Sequence, residues 1–327
     1  MTTPTPPEPP AGTPEFPRRP LGATGLDVTP VCIGGSPLGS VPGIFGYEVT
    51  AEQGIETAVA ALTGPFNFLD TSANYSDGES ERRIGAALRR IGGVPDGFVL
   101  ATKVDRDSVT GDFSGDQMRR SAEGSLERLG LDHLPLVYLH DPEHITFEAG
   151  MAPGGPVETL LKLQQEGLIG HLGVAGGPVE LMARYLRTGH FAALITHNRW
   201  TLVDRSANEL LDEAIELGVG VVNGAPFGGG ILAKGTAATN KYCYRRAHEE
   251  VLRRIRAMEA ACAEHGVPLA AAALQFSTRD PRVTSTIAGV SRPDRIAETA
   301  RLATWPISPE LWAALDPMAA PSHLWQW

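Results

Sequence analysis

CIGGSPLG (residues 32–39) closes the first apolar run of the chain, where an open dinucleotide-binding sheet would carry G-x-G-x-x-G. Gly34 and Gly35 are adjacent instead, so that fingerprint is missing. The point matters because the rest of the chain offers two arrangements of the same units. Short apolar runs at residues 31–34, 67–70, 98–103, 136–140, 171–175, 193–198, 219–223 and 283–288 alternate with amphipathic segments. That alternation predicts eight βα units around a parallel sheet, with strands covered on both faces. Without the fingerprint, the expected fold is α/β of the closed kind, a (β/α)8 TIM barrel.

Helix signals support the segmentation. Thr50 with Gln53 and Ser114 with Gln117 have capping-box spacing, while Gly130, Gly167, Gly218 and Gly266 stand where helices end in a left-handed turn. Val251, Ile255, Met258 and Cys262 repeat at helical spacing and predict core contacts of a seventh helix. Upstream, RRPLGATGLDVTP (residues 18–30) has a turn at Ala23 to Gly25 and predicts a hairpin plugging the barrel bottom. Residues 1–17 are proline-rich and read as a disordered leader, leaving residues 18–327 as a single barrel domain with a C-terminal tail over the active-site face.

The 327 residues carry 28 Lys and Arg against 38 Asp and Glu, a formal charge of −10, the wrong sign for binding nucleic acid or an anionic membrane. Charges or glycines interrupt every apolar stretch, so no membrane span is expected. Cys32, Cys243 and Cys262 lie far apart, which suits a reducing, cytoplasmic setting better than a disulfide framework or zinc ribbon. The expected partner is a small molecule, and the expected state a monomer or small homo-oligomer.

Active sites of parallel barrels lie at the C-terminal strand ends. Asp70 ends the second run, Tyr75 follows in its loop, Lys103 ends the third and His140 ends the fourth. Each has a plainer role to hand: a helix cap, a surface tyrosine, a hydrogen-bonded structural histidine. Together they describe acid/base chemistry. A phenol near pKa 10 needs adjacent positive charge to favour its anion; Lys103 could supply it, Asp70 could hold Lys103, and His140 could orient a substrate oxygen. HDPEH (residues 140–144) has the i, i+4 histidines of a zinc site, but Pro142 argues against the helix such a site needs, so no metal is expected.

These segments, FLDTSANYSDGESERRIG, ATKV and VYLHD, resemble the aldo-keto reductase family over about residues 18–315. The resemblance implies Tyr75 as general acid/base tuned by Lys103 and Asp70, with His140 orienting substrate. Residues 218–233 and 265–293 are similar to the branch of D-threo-aldose, L-fucose and L-galactose 1-dehydrogenases, which implies NAD(P)-dependent oxidation of an aldose hemiacetal at C1 to the lactone, Tyr75 acting as phenolate. General carbonyl reduction, pyridoxal included, is the alternative, and a non-catalytic cofactor-binding regulator a further one.

NAD or NADP is the implied cofactor. Gly228, Gly229 and Gly230 after the seventh strand offer N–H groups open to a pyrophosphate. The family pattern adds Gly35, Asp70, Pro226, Phe227 and Leu232, and places adenosine contacts at Gly289, Ser291, Arg292, Arg295, Glu298 and Thr299. The chain departs from that pattern around the nicotinamide. Ala175 and Gly176 replace a Ser-Asn pair, His197 replaces a Gln and Gly224 a stacking Tyr; Gly289 and Val290 replace a Lys and Ser near the 2′-phosphate. Substrate choice is expected in residues 43–48, at Trp200 and in the tail with Trp325 and Trp327.

Overall fold

The computed structural model describes residues 15–325. Most of the expected leader, and Trp327, lie outside them. Eight parallel strands close into a barrel: β1 (Val31–Gly34), β2 (Phe68–Asp70), β3 (Val99–Val104), β4 (Leu134–His140), β5 (Ile169–Gly176), β6 (Ala193–His197), β7 (Gly220–Gly224) and β8 (Ser285–Gly289). Each expected run is present, with no end moved by more than two residues. Register sets the C-terminal ends level: Gly34 lies beside Asp70, His140 beside Ala175 and His197 beside Gly224.

One apolar cluster fills the barrel, with Cys32, Phe68, Leu136, Tyr138 and Val222 from the strands. Leu21 and Val28 close it from below. They belong to the predicted hairpin, in which Arg19–Pro20 pairs antiparallel with Asp27–Val28. Gly22 there has φ +55°, and a Cβ on it would stand 2.3 Å from the backbone nitrogen of Gly220, so only glycine allows the plug to seat. A second, larger cluster lies between the strands and the surrounding helices.

The helices of seven residues or more are α1 (Ala51–Leu62), α2 (Glu79–Ile91), α3 (Gly115–Leu129), α4 (Pro156–Gln165), α5 (Val179–Leu186), α6 (Asn208–Glu216), α7 (Glu249–Glu264), α8 (Leu269–Thr278), α9 (Asp294–Ala303) and α10 (Pro309–Leu315). Thr50 and Ser114 do cap, accepting from the backbone N–H of Gln53 and Gln117. The return bonds of a capping box are absent. Gln53 donates its amide to Ser291 O at 2.8 Å and Gln117 to Asp105 O at 3.0 Å, so both glutamines tie helix starts to loops at the strand ends. Gly130, Gly167, Gly218 and Gly266 all adopt positive φ.

The stripe Val251, Ile255, Met258 and Cys262 is buried as expected, but α7 that carries it is an additional outer helix. The helix before β8 is α8, buried at Ala271–Leu274 and again at Phe276 and Ser277. Burial at consecutive positions marks a helix covered on several sides, which hides the helical period in its sequence. Among the described residues no helix is long and apolar enough to cross a membrane.

Candidate active site

Asp70 and Lys103 are strand-end residues, each 2% exposed. The Lys103 ammonium has three protons and spends them on Asp70 Oδ2 at 2.6 Å, Thr71 O at 2.7 Å and Tyr75 Oη at 3.0 Å. Burial disfavours this ammonium, yet Asp70 and Tyr75 outweigh it and hold the Lys103 pKa above its usual value. Tyr75 sits in a loop whose backbone is pinned by Thr71 N–H to Ala101 O and Ala73 N–H to Lys103 O. Ser76, Asp77 and Gly78 then turn through positive φ into α2. The Tyr75 ring meets the His140 ring edge-on, with centroids 6.0 Å apart. The four expected residues therefore share one mouth of the barrel.

Two features of that mouth differ from expectation. Burial pushes the Tyr75 phenol up to about 12, and Lys103 opposes the rise without cancelling it. The chain by itself holds Tyr75 as a protonated phenol, not a phenolate. The second feature is Asp105, one residue beyond the end of β3. Its Oδ1 lies 2.6 Å from His140 Nδ1, and its Oδ2 accepts from Ser72 Oγ and, at 3.0 Å, from Asn74 N–H. Burial works against the imidazolium, but the Asp105 carboxylate prevails and raises the His140 pKa. Nδ1–H is thus committed to Asp105, and an imidazolium presents Nε2–H as a donor. Nothing in the local pattern VDRD distinguishes Asp105; its role follows from the approach of Ser72 and His140 off other strands.

At the expected pyrophosphate loop, Gly228, Gly229 and Gly230 have φ of +56°, +74° and +108°. A Cβ on Gly228 would lie 2.3 Å from the Tyr242 ring, and one on Gly229 2.9 Å from Tyr244 N. These side chains and atoms belong to a hairpin, Lys241–Tyr242 with Arg245–Arg246, docked on the loop. Gly228 and Gly229 are therefore required by packing before any ligand is considered. Nor are the N–H groups all open: Gly228 donates to Ala225 O, while Gly230 and Leu232 both donate to Phe227 O. Leu232 is fully buried in the core, which removes it as a cofactor contact.

Gly35 is buried and donates its N–H to Asp70 O; Pro226 is buried and Phe227 half-buried. Ser291, Arg292, Arg295 and Glu298 lie around the start of α9, with Gly289 ending β8. Arg292 is paired with Asp294 at 3.1 Å and Arg295 with Glu298 at 2.6 Å; Thr299 is buried. Trp200 is also buried, tilted against Phe276 with Arg282 over its ring. Trp325 donates its indole N–H to Ala320 O and packs on apolar core residues, and Ala320 N–H donates to Val203 O in the loop after β6. In residues 43–48, the Tyr47 ring lies 5.7 Å from Lys234 Nζ in the loop after β7.

Residues 142–144 form one 3-10 turn, so the His140 and His144 of HDPEH do not share a helical face. The group brought together instead is Asp141, Glu143 and His197, whose ligand atoms lie within 4.8 Å of one another. Ala175 and Gly176, buried at the end of β5, border it. Buried acceptors without partners, Asp141 Oδ1 and Glu143 Oε2, suit a group with N–H donors, so the mouth fits a nicotinamide carboxamide despite the missing Ser-Asn pair.

The pattern of the Aldo/keto reductase family matches residues 30–320. The chain is 31% identical to D-threo-aldose 1-dehydrogenase of a Pseudomonas species, covering 78% of this chain and 84% of that protein. It is 30% identical to L-galactose dehydrogenase of Arabidopsis thaliana, covering 88% of each, and 28% identical to pyridoxal 4-dehydrogenase of Microbacterium luteolum, covering 91% and 96%. Among solved structures, a Bacillus halodurans aldo-keto reductase in holo form superposes with a TM-score of 0.78 at 22% identity over 95% of this chain and 99% of that one, a likeness of fold.

Proposed function

The chain belongs to the aldo/keto reductase family, and on that premise we propose that it oxidises the C1 hydroxyl of a cyclic aldose to the lactone in the cytoplasm, with NAD or NADP. The observation that carries the reading is the Asp70–Lys103–Tyr75 chain set beside His140 in one mouth, in a protein 30–31% identical to two sugar dehydrogenases. When bound, the oxidised nicotinamide supplies a hydride acceptor and a positive charge. Tyr75 takes the hydroxyl proton, His140 Nε2–H holds the substrate oxygen, and Lys103 stabilises the phenolate that accepts the proton. Any added positive charge in this mouth lowers the Tyr75 pKa from about 12, in the same sense as Lys103.

One observation favours the reverse reaction as a second reading. Burial keeps Tyr75 a protonated phenol and Asp105 shifts His140 toward its imidazolium, which suits donating a proton to a carbonyl oxygen. Arg292 and Arg295, each paired with an acidic neighbour, favour NAD over NADP, because a 2′-phosphate would have to displace Asp294 or Glu298. Steady-state rates with L-fucose, L-galactose, D-arabinose and pyridoxal, in both directions, test the assignment. Good turnover of unrelated aldehydes with none of these four would overturn it.

A further inference from the structure

Ala175 and Gly176 end β5 where the family pattern puts two polar side chains, yet the space beside them is not empty. Glu143 enters it from the turn after β4. Its Oε1 accepts from Gly177 N–H at 3.1 Å, and a Cβ added to Gly176 would stand 2.8 Å from its Oε2. Glu143 Oε2 and Asp141 Oδ1 are buried without a hydrogen-bond partner. Asp141 holds its place at a cost, with φ +44°, a left-handed conformation unusual outside glycine, and its N–H is spent on Ala175 O at 2.7 Å.

Opposite these two carboxylates stands His197. The Asn198 amide lies 3.2 Å from His197 Nδ1, which holds the ring with Nε2 toward the two carboxylates. Asn198 is itself 7% exposed. Nε2 is 3.9 Å from Asp141 Oδ1, and His140 Nε2 is 3.8 Å from the same oxygen, both too long for a direct hydrogen bond. The cluster thus presents two carboxylate acceptors and an imidazole nitrogen around a gap. Against the cost of partial burial, His197, His140 and His144 hold the Asp141 carboxyl well below the usual carboxylate range, so it is an ionised acceptor. Arg199, 7% exposed, packs under Gly177 with Asp204 and then Glu143 as its acidic neighbours.

A primary carboxamide has the complementary set: one carbonyl acceptor and two N–H donors. We propose that Asp141 and Glu143 accept the two amide protons of the nicotinamide carboxamide and His197 Nε2–H donates to its carbonyl, replacing the side chains absent at residues 175 and 176. This rests on the reading that the chain binds a nicotinamide dinucleotide. A divalent cation is the rival occupant of such a group. Membership of the aldo/keto reductase family favours the carboxamide, and the titrations below separate the two occupants.

The test is binding, read by fluorescence or calorimetric titration. Wild-type protein is titrated with NAD, NADP and 3-acetylpyridine adenine dinucleotide, which keeps the carbonyl and lacks the amide protons. The expected result is a wild-type preference for NAD over the acetylpyridine analogue of about tenfold or more, the value of charge-assisted hydrogen bonds. Asp141→Ala with Glu143→Ala abolishes that preference, while Glu143→Gln, which keeps an acceptor oxygen, restores most of it. Equal wild-type affinity for NAD and the analogue, or a preference surviving in the double alanine variant, overturns the proposal while leaving dinucleotide binding intact. Failure of the wild type to bind any dinucleotide overturns the underlying reading as well. Zinc or manganese binding that competes with NAD and is lost in the double alanine variant would assign the cluster to a metal instead.

Discussion

Replacing Asp105 with asparagine separates the charge of the His140 partner from its shape. Oδ1 can stay 2.6 Å from His140 Nδ1 as an amide acceptor, and the new NH2 faces Ser72 Oγ, a hydroxyl able to accept. The Ser72 O–H must give up its acceptor and the Asn74 N–H keeps only Ser72 Oγ at 3.3 Å, a local cost of about 1 kcal/mol. What disappears is the charge that favours the imidazolium. A hydrogen bond to a charged group is worth about 1.5–3 kcal/mol, so at pH values above the His140 pKa the protonated fraction should fall about 10- to 150-fold. The wild-type His140 pKa is raised, so the active imidazolium persists to higher pH and is lost as pH rises through that value. In Asp105→Asn the loss should begin at lower pH. The assay is kcat/KM for carbonyl reduction from pH 5 to 9: the variant should approach wild type at pH 5 and fall behind at pH 8, with its alkaline limb displaced downward. An unmoved alkaline limb, in a variant that melts normally, would refute the idea that Asp105 keeps His140 charged.

Lys103→Met leaves Asp70 as an unpaired buried carboxylate and should cost about 3–5 kcal/mol in urea denaturation, with much of that recovered when Asp70→Asn is added. Tyr75→Phe should lower turnover by about 10²- to 10⁴-fold while dinucleotide affinity, measured by titration, stays within about twofold. Because the phenol titrates at about 12, the oxidative rate limited by phenolate should climb with pH through the alkaline range, whereas reduction should not gain. Asp294→Asn frees Arg292 at the start of α9, and competitive titration should show tighter NADP binding with NAD little changed.

The barrel was legible because both halves of each unit leave a local mark. Apolar strands covered on two faces read as uniform runs, and the glycines ending helices announce their positive φ. The tetrad was legible for a related reason: an ionisable residue ending an apolar strand is costly unless paired, so Asp70 and Lys103 drew attention separately and proved to be partners. Asp105 left no such mark, lying among other charged residues where VDRD reads as an ordinary polar loop. The packing role of Gly228 and Gly229 was not legible, because the hairpin they admit, with Tyr242 and Tyr244, lies more than ten residues away and their sequence looks the same with or without it. Leu232 was misplaced because a loop residue in the family pattern turned inward to the core here. α8 escaped notice because its burial on several sides leaves no period to detect.

Gly176 and Glu143 also show why a departure from a family pattern can be misread when each position is taken alone. Ala175 and Gly176, considered by themselves, subtract two side chains from the mouth. In three dimensions the subtraction is a condition for an addition: with Glu143 Oε2 2.8 Å from where a Cβ would stand, an asparagine at 176 and a glutamate at 143 in its present place exclude one another. The two arrangements are alternative packings of one volume, one filled from the end of β5 and the other from the turn after β4. The second places carboxylates, not neutral amides, beside His140 and His197, so it also changes the electrostatics of the mouth. A mouth with added negative charge favours whatever cationic species enters it, and of the two redox forms of a nicotinamide the oxidised one is cationic. If Asp141 and Glu143 hold the carboxamide as proposed, the exchange biases the mouth toward the oxidised cofactor, the form that sugar oxidation consumes.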